Sequence, residues 1–178
     1  MKRFFVILAL AAVALGASAQ NSVLRQRMEI AEFESEENNT SISVFYMDDE
    51  TPRVYYLSLG NLGIGTDIVQ VQFDPFYELF IPLGNTLDDA IEKMKDIQDL
   101  YKLPRLSSSE LDGCFAVAYP DGTSTKVAVT ARRFLASKVL EFSLPGDGPV
   151  RATHITKGNF SSLLSTLKLY RKIHPNEK

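Results

Sequence analysis

Phe76-Tyr77-Glu78-Leu79-Phe80-Ile81-Pro82-Leu83-Gly84-Asn85-Thr86-Leu87-Asp88-Asp89-Ala90-Ile91 is the stretch on which the fold turns. It reads as an apolar strand, a tight Pro/Gly/Asn turn and the start of a helix. Thr86 suits an N-cap, and Asp89 stands where a capping box closes, although Glu or Gln is the better residue there. From that point Leu87, Ala90, Ile91, Met94, Ile97 and Tyr101 recur at helical spacing, with Asp and Lys residues on the other side. A helix with one apolar stripe must bury it, and the flanking strands are the obvious partner. Lys102-Leu103-Pro104 ends the helix, since proline cannot continue it and biases the preceding residue away from helical geometry.

Upstream, residues 22–36 read as a strand in preference to a helix, with Asn38-Asn39 turning the chain into a clearer strand, Thr40 to Met47. Ile42, Val44 and Tyr46 alternate there with Ser41, Ser43 and Phe45, the period of a strand with two unlike faces. Asp48 to Pro52 is a loop and Arg53 to Leu59 the returning strand. Gly60-Asn61-Leu62-Gly63-Ile64-Gly65 resembles a phosphate loop only superficially, because the nucleotide fingerprints need another spacing and a helix directly after. Asp67 to Phe73 alternates as a strand, so the glycine stretch reads as a flexible connection.

Downstream, residues 104–113 read as a connector. Strands follow at Cys114–Tyr119, Thr123–Phe134, Lys138–Leu144 and Val150–Thr156, separated by Pro120-Asp121-Gly122 and Pro145-Gly146-Asp147-Gly148. Asn159 can cap a closing helix whose stripe is Phe160, Leu163, Leu164, Leu167, Tyr170 and Ile173. Tyr46, Asp48, Arg53 and Val54 align with Tyr119, Asp121, Lys126 and Val127 at one offset, and both halves end in an amphipathic helix. The expectation is an α+β fold of about eight or nine antiparallel strands with two amphipathic helices. It is built either as two tandem ββββα modules, residues 20–103 and 114–178, or as one long sheet with both helices on one face.

Residues 1–19 carry the pattern of an export signal. Lys2 and Arg3 precede an apolar run, Phe4 to Leu15, and Ala17-Ser18-Ala19 is a small-residue cleavage pattern. The run is shorter than the roughly 20 residues a spanning helix needs, so no transmembrane anchor is expected. Cleavage after Ala19 would leave 159 residues, with 17 basic against 22 acidic side chains and a net charge of −5. That balance gives no footprint for nucleic acid and no attraction to anionic lipid. The protein is read as exported, periplasmic or extracellular.

Chemistry is sparse. Cys114 is the single cysteine, so no intrachain disulfide forms, and its apolar strand setting reads as a buried thiol. His154 and His174 are the two histidines. His154 reads as a half-buried, hydrogen-bonded structural residue, His174 as exposed, and no spacing makes a metal site. Carboxylates cluster at Glu29, Glu32, Glu34, Glu36 and Glu37 and at Asp48-Asp49-Glu50, which reads as solvated surface. Two of them could serve as a glycosidase pair if held at the right separation. The aromatic residues are the remaining signal. Tyr55 and Tyr56 alternate to opposite faces, so at least one is expected on the outer surface, and with Phe76 and Tyr77 they are the candidate ligand or partner surface. The reading is a non-catalytic binding or interaction protein with an envelope or extracellular protein as partner and no cofactor. The alternative is a carboxylate-dependent hydrolase of envelope or extracellular polymers.

Overall fold

The structure is a computed structural model, and it describes residues 27–35, 40–48, 50–60, 63–66, 69–73, 78–115, 124–134, 136–144 and 151–177. The export pattern, Phe76 and Tyr77 lie outside the described residues. The first half supplies β1 (Arg27–Ser35), β2 (Thr40–Met47), β3 (Tyr55–Leu59), β4 (Gly63–Thr66), β5 (Val69–Phe73), β6 (Leu79–Gly84) and α1 (Leu87–Asp99). A 3-10 turn, Leu100–Lys102, follows. The second half supplies β7 (Ser108–Phe115), β8 (Ser124–Phe134), β9 (Ser137–Leu144), β10 (Arg151–Thr156) and α2 (Lys157–Ile173).

All these strands join one antiparallel sheet in the order β1-β2-β3-β6-β7-β8-β9-β10-β4-β5. Eight of them, four from each half, run consecutively from β1 to β10. The β4–β5 hairpin is then added beyond β10, far from its neighbours in sequence. The fold is α+β, with a continuous sheet bridging the halves through β6 and β7.

Alternation decides what the sheet does with its side chains. Ile42, Val44 and Tyr46 of β2, Tyr55, Leu57 and Leu59 of β3, and Leu79, Ile81 and Leu83 of β6 share the face that meets the helices. Val127, Val129, Ala131, Leu140, Phe142 and Ile155 continue it across β8 to β10. The helices complete this core with the stripes the sequence announces: Leu87, Ala90, Met94 and Ile97 from α1, and Phe160, Leu163, Leu164 and Leu167 from α2. Each such aliphatic side chain contributes roughly 1.5–3 kcal/mol on leaving water. Ile173, expected on the α2 stripe, is instead 64% exposed at the last position of the helix.

The helices run antiparallel. Gln98 at the end of α1 donates to Ser161 Oγ near the start of α2 (2.9 Å), and Arg171 near the end of α2 forks onto Asp88 at the start of α1 (2.9 and 3.0 Å). α2 touches β1 and β2 at one end of the strand order and β9 and β10 towards the other, so the sheet wraps around the helix pair.

Three local expectations are corrected. Residues 108–113 of the expected connector belong to β7, because their backbone pairs with β8 from Ser108↔Thr130 onward. The end of the glycine stretch, residues 63–65, belongs to strand β4 (Gly63–Thr66), whose backbone pairs with both β5 and β10. The N-cap of α2 is Thr156, whose hydroxyl accepts from the Asn159 N–H at 3.2 Å. Strand β10 therefore runs directly into the helix with no loop for Asn159 to end.

Candidate functional site

The aromatic surface expected from sequence divides in two. Tyr55 and Tyr56 do point to opposite faces, but neither is on the outer surface, being 0% and 3% exposed. Tyr55 is in the helix-side core, edge-on to Tyr46. Tyr56 belongs to a second apolar cluster on the other side of the sheet, with Phe45, Met47 and Phe80. It stacks on Phe45 at 5.4 Å and donates its hydroxyl to Glu50 at 3.0 Å. The strand alternation was legible; that the second face is also covered was not.

Above this second cluster lies a polar one. The Arg27 guanidinium sits 4.0 Å over the Phe45 ring, an arrangement that draws on the ring's negative face. It pairs with Glu78 (2.8 Å) and with Glu29 (3.1 Å). Glu78 also accepts from Ser58 Oγ. Burial raises the Glu29 carboxyl above its ordinary value, with a hydrogen bond from Ser43 and the charge of Arg27 pulling it back. Glu78 immediately precedes β6 and Glu29 is on β1, elements separated by β2 and β3.

A third cluster lies on the same side of the sheet in the second half. Antiparallel register sets Thr130, Glu141 and His154 abreast on β8, β9 and β10. Glu141, only 5% exposed, is held by Arg132 Nη2 at 2.8 Å and His154 Nε2 at 2.9 Å. Burial alone would raise the Glu141 carboxyl. The hydrogen bond to His154 and the charge of Arg132 outweigh it, and the carboxyl is held below its ordinary value. His154 is thus the half-buried, hydrogen-bonded residue expected from its strand position.

Arg132 links this cluster to a cavity of about 310 Å³ at the β8–β9 end of the sheet. Tyr101, Leu103, Ala131 and Val139 give it apolar walls, Arg105, Arg133 and Lys138 bring cations to it, and Arg132 lines it from β8 while its guanidinium pairs with Glu141. Its shape is fixed by backbone pairing. Arg132 and Arg133 face Val139 and Lys138 across the hairpin. The Leu106 N–H donates to the Ala131 carbonyl (2.8 Å), and the Ala131 N–H donates to the Ser107 carbonyl (3.0 Å), clamping the Arg105 loop onto β8. Lys138 Nζ donates to the Tyr101 carbonyl at 3.2 Å, and the Tyr101 hydroxyl donates to the Ile155 carbonyl at 2.9 Å. Sequence reasoning missed this cavity. Arg132-Arg133 was a visible pair, but nothing in the spacing brings Arg105 and Lys138 to it.

Cys114 is fully buried, and burial pushes its thiol up to about 11. Among the described residues no three His, Cys, Asp or Glu side chains group as metal ligands. No described helix is long and apolar enough to cross a membrane. No family model, curated protein or solved structure matches the chain.

Proposed function

We propose that this is an exported, non-catalytic binding protein of the cell envelope or exterior, and that it meets its ligand or partner at the cavity by the β8–β9 hairpin. The observation that carries the reading is the cavity's composition: cationic residues around apolar walls, on backbone held in place by strand pairing and the clamped loop. Small-ligand sites combine apolar walls with a few fixed polar groups in this way. Placement outside the cytoplasm is supported by the basic, apolar and small-residue pattern of the first nineteen residues. The ligand can be a free small molecule or a group presented by an envelope or extracellular protein.

The test is retention without turnover. Mature protein is incubated with a small-molecule extract of the producing culture, separated by ultrafiltration, and the retained compounds are released and identified by mass spectrometry. A compound held stoichiometrically and released unchanged supports the reading. Steady conversion of a retained compound into another overturns it.

One observation favours the hydrolase alternative. Glu29 and Glu78 meet over one guanidinium, one carboxyl raised by burial and the other bonded to Ser58 and Arg27. Two carboxyls in unlike environments are what acid–base work on a glycosidic bond requires. On this reading Glu29 is the proton donor and Glu78 the second carboxyl. Release of soluble fragments from envelope polymers, falling about 100-fold or more in Glu29→Gln and Glu78→Gln, would support it; no release by the native protein would reject it.

A further inference from the structure

We infer that the cavity selects a small organic anion, a carboxylate or phosphate head on a compact apolar body; this deepens the binding role proposed above and rests on it. Charge is the first argument. The whole chain has more acidic than basic residues, 22 against 19, yet four cationic residues line one cavity and, among the described residues, no carboxylate does. Among the described residues Arg105, Arg133 and Lys138 make no ion pair. Glu141 stands behind Arg132 and offsets only that cation.

Geometry supplies the rest. Guanidinium groups present a planar fork that matches carboxylate and phosphate oxygens two at a time, and two of the three cations without an ion pair, Arg105 and Arg133, are arginines. The volume corresponds to roughly ten water molecules in the liquid. That suits a ring-sized body, which Tyr101, Leu103 and Val139 would cover. The loop that carries Arg105 is held in an unusual conformation: Leu106 has φ 68° and its side chain is 62% exposed beside the cavity. A non-glycine residue in the left-handed region is kept only where its surroundings fix it. Here the two backbone bonds to Ala131 fix it, and they hold Arg105 at the cavity rim.

The experiment titrates benzoate, phenyl phosphate, inorganic phosphate and the uncharged benzamide into the mature protein, followed by amide chemical shifts. Benzoate or phenyl phosphate is expected to saturate and to move the amides of residues 101–103, 105, 131–134 and 136–139. Inorganic phosphate alone should bind more weakly, benzamide not at all. The tighter of the two organic anions tells phosphate from carboxylate as the head group. A double variant, Arg133→Gln with Lys138→Gln, alters exposed side chains and should weaken binding about tenfold or more without changing the fold. Benzamide binding as well as benzoate, or the double variant binding unchanged, overturns the anion assignment while leaving a binding role standing. No shift at those residues with any probe at about 10 mM overturns the anion assignment too. An uncharged compound retained in the extract experiment would then preserve the binding role, and an empty retentate would remove both.

Discussion

Cys114 shows how a single side chain's setting fixes its chemistry. The thiolate is the reactive form, and burial that pushes the thiol up to about 11 leaves almost none of it at neutral pH. A disulfide-exchange reagent should leave the native protein unmodified over hours and should titrate one thiol in denaturant; rapid labelling of the native protein would contradict this. Glu141 and Glu29 make opposite predictions about pH. Glu141 is held below its ordinary value of 4.5, so its contribution is present above that pH and lost as pH falls through the lower, folded value. The penalty of Glu141→Gln should therefore shrink between about pH 7 and about pH 3. Glu29 is raised, so the unfolded chain gives up this proton first, and the cost to stability builds as pH rises from the ordinary 4.5 towards the higher, folded value. Glu29→Gln should accordingly gain on the native protein between about pH 4 and about pH 7. Denaturant midpoints of both variants against pH would check the two signs, and parallel curves would refute them.

At the scale of elements, the turn between β6 and α1 carries the most specific local chemistry. Gly84 has φ 128°, and a Cβ there would lie 2.5 Å from the Asp89 Cβ. The same Asp89 accepts from the Thr86 N–H (3.2 Å) while its own N–H donates to Thr86 Oγ1 (3.1 Å), the reciprocal bonds of a capping box. Gly84→Ala should destabilise the protein by about 1–3 kcal/mol or more, and Thr86→Ala by about 1 kcal/mol. Chemical denaturation measures both, and a neutral Gly84→Ala would mean the turn relaxes. This motif was readable from Gly84, Thr86 and Asp89 because its partners are three to five residues apart. Strand β4 was not. Its pairing with β10 joins Gly63 to Ala152, and no local pattern records a contact of that separation. The N-cap of α2 failed for a related reason: Thr156 and Asn159 are both good caps, and only the run of β10 into the helix chooses between them.

For the molecule as a whole, the continuous sheet and shared core predict cooperative behaviour. Leu57 from β3 and Leu164 from α2 are buried in one apolar cluster that spans both halves. Leu57→Ala and Leu164→Ala should each cost about 2–5 kcal/mol and each shift the same single transition. Far-ultraviolet and near-ultraviolet circular dichroism would test this, with two separable transitions counting against it. The C-terminal segment ties the halves as well. Glu177 pairs with Arg53 at 2.6 Å and accepts from the Tyr170 hydroxyl at 2.9 Å, while Arg53 stacks over Tyr46 at 4.0 Å.

The sequence alone settled the α+β class, the two helix stripes, the alternation of β2 and β3 and the capped turn at Thr86. All of these are periodicities or contacts within a few residues, where chain geometry leaves few choices. Tertiary structure decided that both faces of the first half are covered, which took Tyr56 from an expected surface into an apolar cluster. It also decided which charges meet. Arg27 with Glu78, and Arg105 with Arg132, Arg133 and Lys138, are brought together by sheet order and by the clamped loop. Burial and long-range charge proximity depend on how strands from distant parts of the chain pair, and no short stretch of sequence contains that information.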